Sequence, residues 1–109
     1  MININVYIIL FGAIALEVFG TLLLPITQSF TKILPSSLAL ISYCISIYLL
    51  SIIVQKLPIA IGYASWAGLG VFTVALLGYI FYKQALNWQT VIGLFLIIVG
   101  VILVNVYKN

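Results

Sequence analysis

Residues 4–24 read INVYIILFGAIALEVFGTLLL, and Glu17 is the single charged residue among them. The run is long enough to cross the hydrocarbon core of a bilayer as one α-helix, which takes about 20 mostly apolar residues. Three more apolar runs follow, at about 35–54, 58–82 and 88–107. We therefore predict an all-α integral membrane protein with four transmembrane helices, forming a single domain over residues 1–109.

The composition excludes most other classes of protein. The 109 residues are 66% hydrophobic and only 5% charged, with four basic residues, one acidic residue and no histidine. A soluble domain carries about 25% charged residues, so a soluble protein, a disordered chain and a nucleic-acid binder are excluded. An enzyme is least expected, because no pair of groups offers general acid–base chemistry. No metal-ligand cluster or cofactor motif is present, and we expect Cys44 to be a small core residue.

Lysines and prolines mark the three breaks between the apolar runs. We expect the first helix to end at Pro25, and Pro35 and Pro58 to lie in the first turns of the helices that they open, where a missing N–H costs little. The lysines are balanced between the two sides of the membrane, with Lys32 and Lys83 on one side and Lys56 and Lys108 on the other.

Because the lysines are balanced, the positive-inside rule predicts no orientation of the chain in the membrane. Either another feature fixes one orientation, or the chain inserts both ways and pairs as an antiparallel, dual-topology homodimer of eight helices; we favour the second. Small residues allow close helix approach in lipid. Gly93 and Gly100 share one face of the fourth helix, so we expect them at the contact between protomers.

Glu17 is the only carboxylate side chain, and it lies near the middle of the first span. A charge at that depth is costly, and such residues are functional by default. Glu17 is a protonated packing group, a proton site or a cation site in a wet cavity, and we favour the functional interpretations. Ala13 and Gly20 share its helix face and leave room beside it. Thr21, one turn on, is placed to hydrogen-bond locally.

Aromatic residues in the other spans point to a cation as ligand. Tyr63 and Trp66 are spaced i, i+3 on one face of the third helix, and Tyr43 and Ser46 lie in the second. Aromatic faces attract cations, tryptophan most strongly, and a carboxylate supplies the opposite charge. The alternative is that these rings are packing or interface residues, as we expect for Tyr7.

At these residues the chain resembles the small multidrug resistance family of bacterial four-helix transporters. Residues 15–21, ALEVFGT, resemble the family's glutamate-centred motif, and residues 63–70, YASWAGLG, resemble its longest signature. Weaker matches are SFTK at 29–32, LPI at 57–59 and the glycines of the fourth helix.

The resemblance implies an antiparallel homodimer in the bacterial cytoplasmic (inner) membrane that exchanges protons for organic cations. Glu17 would be the shared proton and substrate site. Tyr43, Tyr63 and Trp66 would line the pocket. Gly68 and Gly70 would let the third helix bend, and Gly93 and Gly100 would form the dimer contact.

The branch of the family is indicated by two positions. The family's guanidinium exporters tend to carry Trp soon after the Glu and Lys late in the fourth helix, whereas this chain has VFGT at 18–21 and Asn105. The pattern favours export of lipophilic or quaternary ammonium cations. Export of guanidinium or polyamines, and a non-transport proteolipid-type subunit, are the alternatives. Pro25 lies where many members of the family carry Lys. Any role of that Lys is therefore absent from this chain or has moved to another residue.

Overall fold

The chain folds into four antiparallel helices, as predicted. The computed structural model describes residues 4–108. Its helices are α1 (Ile4–Thr27), α2 (Ile33–Ile53), α3 (Ile59–Phe81) and α4 (Trp88–Val106). All four are long and apolar enough to cross a membrane, which makes this a multi-pass membrane protein.

A stripe of apolar side chains on α1 forms the centre of the bundle. Val6, Leu10, Ala13, Ile14 and Val18 are buried at helical spacing, so one face of α1 packs against α2 and α3. The described chain is a slab measuring 45 × 34 × 18 Å, about two helices thick in its shortest dimension.

The first helix continues through Pro25 to Thr27, so the predicted end at Pro25 is wrong. Pro25 lies in the last turn, where only Ile26 and Thr27 follow it in the helix. The hydrogen bond lost with its N–H and the crowding of its ring are therefore confined to the helix end. The helix end is secured by Thr27, whose hydroxyl donates to the Leu24 carbonyl at 2.7 Å, and by Tyr82, whose hydroxyl donates to the Leu22 carbonyl.

The other helix boundaries follow local capping. Pro35 lies in the first turn of α2, whereas Pro58 is the residue immediately before α3. Asn87 caps α4 by accepting a 2.8 Å hydrogen bond from the Thr90 amide. Cys44 is exposed on α2 rather than in the core, because α2 buries its opposite face, which includes Ser42 and Ser46.

The loop between α1 and α2 has an unusual backbone. Gln28, Ser29 and Phe30 all have positive φ, at 48°, 63° and 64°. L-residues disfavour this region because the Cβ crowds the following carbonyl oxygen. Thr27 holds the turn together, since its carbonyl accepts from the amides of Thr31 and Lys32 at 2.9 and 3.1 Å.

The last helix contributes least to the core of the single chain. Val101 is the one residue of α4 that is buried. Large apolar side chains cover the rest of its surface, including Phe95 at 58% exposed and Leu96 at 64%. This surface faces lipid or another protein.

Candidate functional site

A cavity of about 520 Å³ opens beside Glu17 in the middle of the bundle. Three helices build it: α1 supplies Glu17 and Thr21, α2 supplies Tyr43, and α3 supplies Trp66 and Gly70. The remaining lining residues are small or apolar and belong to α3: Ala67, Val71, Val74 and Ala75. The volume lies within the range of small-molecule sites.

Two hydroxyl groups connect to the Glu17 carboxylate in series. The Thr21 hydroxyl donates to Glu17 Oε2 at 2.6 Å, and the hydroxyls of Thr21 and Tyr43 lie 2.6 Å apart. A hydroxyl has only one proton, so Thr21 accepts from Tyr43 while it donates to Glu17. The predicted local hydrogen bond of Thr21 is present. The contact between Thr21 and Tyr43 extends the site from α1 to α2.

The other carboxylate oxygen lies against α3. Glu17 Oε1 occupies the space that a Cβ atom on Gly70 would need. Because Gly70 has no side chain, the Glu17 carboxylate can lie directly against the backbone of α3.

Trp66 is held in the cavity wall through α2. Its indole N–H donates to the Ser46 hydroxyl at 2.9 Å, and Ser46 donates to the Ala13 carbonyl at 2.6 Å. Ala13 lies one turn before Glu17 on α1. The orientation of the indole ring is thus tied to the helix that carries the carboxylate.

Several of the predicted site residues lie behind the cavity wall rather than on it. Ala13 and Ser46 are completely buried. Gly20 packs against α2, where an added Cβ would lie 3.2 Å from the Ala39 carbonyl oxygen. These residues support the site by letting α1 and α2 approach closely.

Tyr63 does not line the Glu17 cavity in the single chain. Its ring centroid lies 5.9 Å from that of Trp66, but the side chain is 57% exposed and lines a neighbouring apolar groove between α2 and α3. The i, i+3 spacing does bring the two rings together, with Trp66 facing inwards and Tyr63 outwards.

The glycines predicted as hinge and dimer contacts have contrasting surroundings. A Cβ on Gly68 would lie 2.6 Å from Val101 Cγ2, so Gly68 is a close contact between α3 and α4. Among residues 4–108, an added Cβ at Gly93 or Gly100 would meet no atom within 4 Å outside its own stretch of helix. Both α4 glycines therefore lie on an open surface of the chain.

The small α3 residues opposite Glu17 are the part of the site that the sequence interpretation missed. Ala67, Val71, Val74 and Ala75 recur at intervals of three, four and eight residues, which marks one helix face. This periodicity, which begins at the residue after Trp66, could have identified the α3 face that lines the cavity.

The electrostatic setting of the cavity is a lone carboxylate among aromatic and apolar groups. The four lysines of the described chain all lie outside the helices, at positions 32, 56, 83 and 108. Such a cavity favours an organic cation, because the carboxylate and the aromatic faces both attract positive charge.

Comparison with known proteins identifies the family of the chain. The model of the family described as "Small Multidrug Resistance protein" matches residues 5–97. The multidrug transporter EmrE of Escherichia coli (strain K12) is 40% identical over 105 residues, which cover 96% of each chain. The quaternary ammonium compound-resistance protein QacG of Staphylococcus sp. (strain ST94) is 40% identical over 101 residues, covering 93% of this chain and 94% of QacG.

A third relative is more distant but aligns over most of its length. The multidrug resistance protein EbrA of Bacillus atrophaeus is 37% identical over 99 residues, covering 91% of this chain and 94% of EbrA. Since the family model spans most of the chain and the relatives align nearly end to end, the chain belongs to the small multidrug resistance family.

Proposed function

We propose that the chain is a proton-coupled antiporter that exports lipophilic and quaternary ammonium cations across the cytoplasmic membrane of a bacterium. The observation that carries this proposal is the position of Glu17. The only carboxylate side chain is half-buried near the middle of the apolar helix α1, on a cavity that Tyr43 and Trp66 also line. The names of the relatives, multidrug transporter and quaternary ammonium compound-resistance protein, support the same class of substrate.

In the proposed cycle, a proton and an organic cation compete for Glu17. An ionised carboxylate accepts hydrogen bonds only, whereas a protonated one also donates. The Tyr43–Thr21 hydroxyl pair fits both states, because each hydroxyl can reverse its donor direction when Glu17 takes up a proton. Release of the proton would leave the charged carboxylate to bind the cation.

We further propose that two chains pair as an antiparallel homodimer around the Glu17 cavities. The apolar α4 face, with Gly93 and Gly100 uncovered, supports a contact of close-packed helices there. Tyr63 would then join the substrate pocket through the second chain. In such a dimer the inward-open and outward-open states are related by exchanging the protomers, so their energies are nearly equal apart from lipid asymmetry and membrane potential.

Bending of α3 at Gly68 and Gly70 would supply the movement between those states. Gly70 touches the carboxylate and Gly68 touches α4. A bend between the two contacts would therefore change the setting of Glu17 and the packing of α4 together. This links occupancy of the site to the side on which the cavity opens.

Transport in proteoliposomes tests the proposal. Purified chain is reconstituted with a quaternary ammonium probe inside, and an inward proton gradient is imposed. We expect proton-driven efflux from wild type and none from Glu17→Gln, which keeps the size of the side chain but cannot release a proton. Substantial proton-driven efflux by Glu17→Gln would refute the mechanism.

A further inference from the structure

A second polar network lies at the opposite end of α1 from Thr27, away from the cavity. The Tyr7 hydroxyl donates to Asn105 Oδ1 at 2.8 Å, and Asn105 Nδ2 donates to the Ser65 hydroxyl at 2.7 Å. Lys108 Nζ donates to the Tyr7 oxygen at 3.0 Å. We call these four residues the Asn105 network. It joins the start of α1, the first half of α3 and the end of α4.

The hydrogen bonds of the Asn105 network all run in one direction. Lys108 donates to Tyr7, Tyr7 to Asn105, Asn105 to Ser65, and Ser65 to the Ile61 carbonyl at 2.8 Å. Hydrogen bonds in such a chain polarise and strengthen one another. Asn105 is the branch point, because its amide also donates to the Val101 carbonyl at 2.9 Å.

Ser65 and Trp66 hold the same turn of α3 from two sides. Ser65 is completely buried and bonds to α4 through Asn105, while Trp66 bonds to α2 through Ser46. Gly68 follows directly and packs against Val101, whose carbonyl Asn105 also engages. The turn is therefore fixed immediately before the glycines that approach Glu17 and α4.

We propose that Asn105 is a positioning residue for the cation site. Through Ser65 it sets the rotation and height of the α3 turn that carries Trp66, and thereby places the indole ring beside Glu17. The inference deepens the proposed function and rests on it in one respect, namely that the positioned site binds a cation. It assigns a role to Asn105 and Ser65, neither of which touches the cavity.

The test uses Trp66 as its own reporter. Trp66 and Trp88 are the only tryptophans, so a Trp88→Phe background leaves a single indole signal. In lipid nanodiscs, the fluorescence anisotropy of Trp66 is measured without ligand, and the affinity for tetraphenylphosphonium is then titrated. The first measurement needs no cation binding, so it separates failure of this inference from failure of the proposed function.

We expect Asn105→Leu and Ser65→Ala each to lower the Trp66 anisotropy and to weaken tetraphenylphosphonium binding about fivefold, the usual effect of one buried hydrogen bond. The double variant should bind tetraphenylphosphonium no more weakly than the weaker-binding single variant, because both changes remove the hydrogen bond between Asn105 and Ser65. Tyr7→Phe removes a single hydroxyl at the outer end of the network, and it should act in the same direction if Asn105→Leu does not fold.

Thr73→Val is the matched control. Its hydroxyl lies on the same helix but bonds only within α3, to the Leu69 carbonyl at 2.7 Å, so both readings should stay at wild-type values. Unchanged anisotropy in the Asn105 and Ser65 variants would overturn the inference, even if binding weakened. Equal damage from Thr73→Val would also overturn it. If the variants lower the Trp66 anisotropy but the parent protein with Trp88→Phe alone binds no tetraphenylphosphonium, the result would count against the proposed function and not against the role of Asn105.

Discussion

Glu17 Oε1 lies against Gly70, in the space that any side chain at residue 70 would fill. The contact joins α1 to α3 at the wall of the cavity, which both residues line. Because Glu17 is the flexible partner, a larger residue at position 70 would displace the carboxylate and leave the helix backbone in place. The contact therefore makes Gly70 part of the candidate site as well as a proposed point of bending.

The first prediction concerns Gly70→Ala. The added methyl group should push the carboxylate out of its hydrogen bond with Thr21, so we expect tetraphenylphosphonium affinity to fall about tenfold, equivalent to about 1.4 kcal/mol. Isothermal titration calorimetry in detergent measures this change. The chain should remain helical and folded by circular dichroism.

Gly12→Ala is the control for that substitution. It makes the same change on α1, where the new Cβ would lie an ordinary 3.8 Å from Leu49 Cδ1. Its affinity should match wild type. If Gly70→Ala also binds within twofold of wild type, the carboxylate does not depend on the contact with Gly70.

The second prediction concerns Ser46→Ala. The change leaves the Trp66 indole N–H and the Ala13 carbonyl without their shared partner. Unsatisfied buried groups cost about 1–3 kcal/mol, so Trp66 should shift its emission and cation binding should weaken. Ser36→Ala on the same helix is the control, because the buried Ser36 hydroxyl has no hydrogen-bond partner among residues 4–108. An equal loss of binding in both variants would exclude a specific role for Ser46.

A third prediction concerns the uncovered glycines of α4. A Cβ atom at residue 100 would have no neighbouring atom of the described residues within 4 Å. The Gly100→Leu monomer should therefore keep its fold, while association is weakened by the lost close approach. Sedimentation in detergent is expected to show a shift from dimer to monomer. Thr90→Leu, at an exposed position in the first turn of the same helix, should leave the dimer intact. A stable Gly100→Leu dimer would mean that the contact lies elsewhere.

The fourth prediction concerns the backbone of the first loop. Ser29 has φ of 63°, a region that costs an L-residue about 1 kcal/mol and glycine almost nothing. Ser29→Gly should therefore raise the free energy of unfolding by about 1 kcal/mol in a denaturant titration. Ser37→Gly, which makes the same change inside α2, should lower it, because glycine is a poor helix former. A destabilised Ser29→Gly variant would contradict the left-handed turn.

The sequence was sufficient for the four spans, because each is a long apolar run bounded by lysine or proline. It was insufficient for the end of α1. Proline kinks or breaks the interior of a helix, but only Ile26 and Thr27 follow Pro25 in α1. The sequence alone does not show whether a helix continues for those two residues. Cys44 shows the same difficulty, since an apolar run does not say which face of a membrane helix is covered.

The candidate site was predictable where its contacts are local. Glu17 and Thr21 are four residues apart, and helix geometry brings them together. The contacts of Trp66 with Ser46 and of Tyr7 with Asn105 span 20 and 98 residues, and their pairing depends on how the helices rotate and slide during packing. The spacing of Tyr63 and Trp66 predicted that their rings would lie close together. The outward orientation of Tyr63 could be seen only once the helices were packed.

If one carboxylate binds both ligands, cation binding must release the proton that Glu17 holds, and this release can be measured. Tetraphenylphosphonium is added to purified protein in weakly buffered detergent solution, and the pH change is recorded for wild type and Glu17→Gln. We expect wild type to release protons and the variant to release none. Cation binding by wild type without proton release, or release that persists in Glu17→Gln, would contradict it.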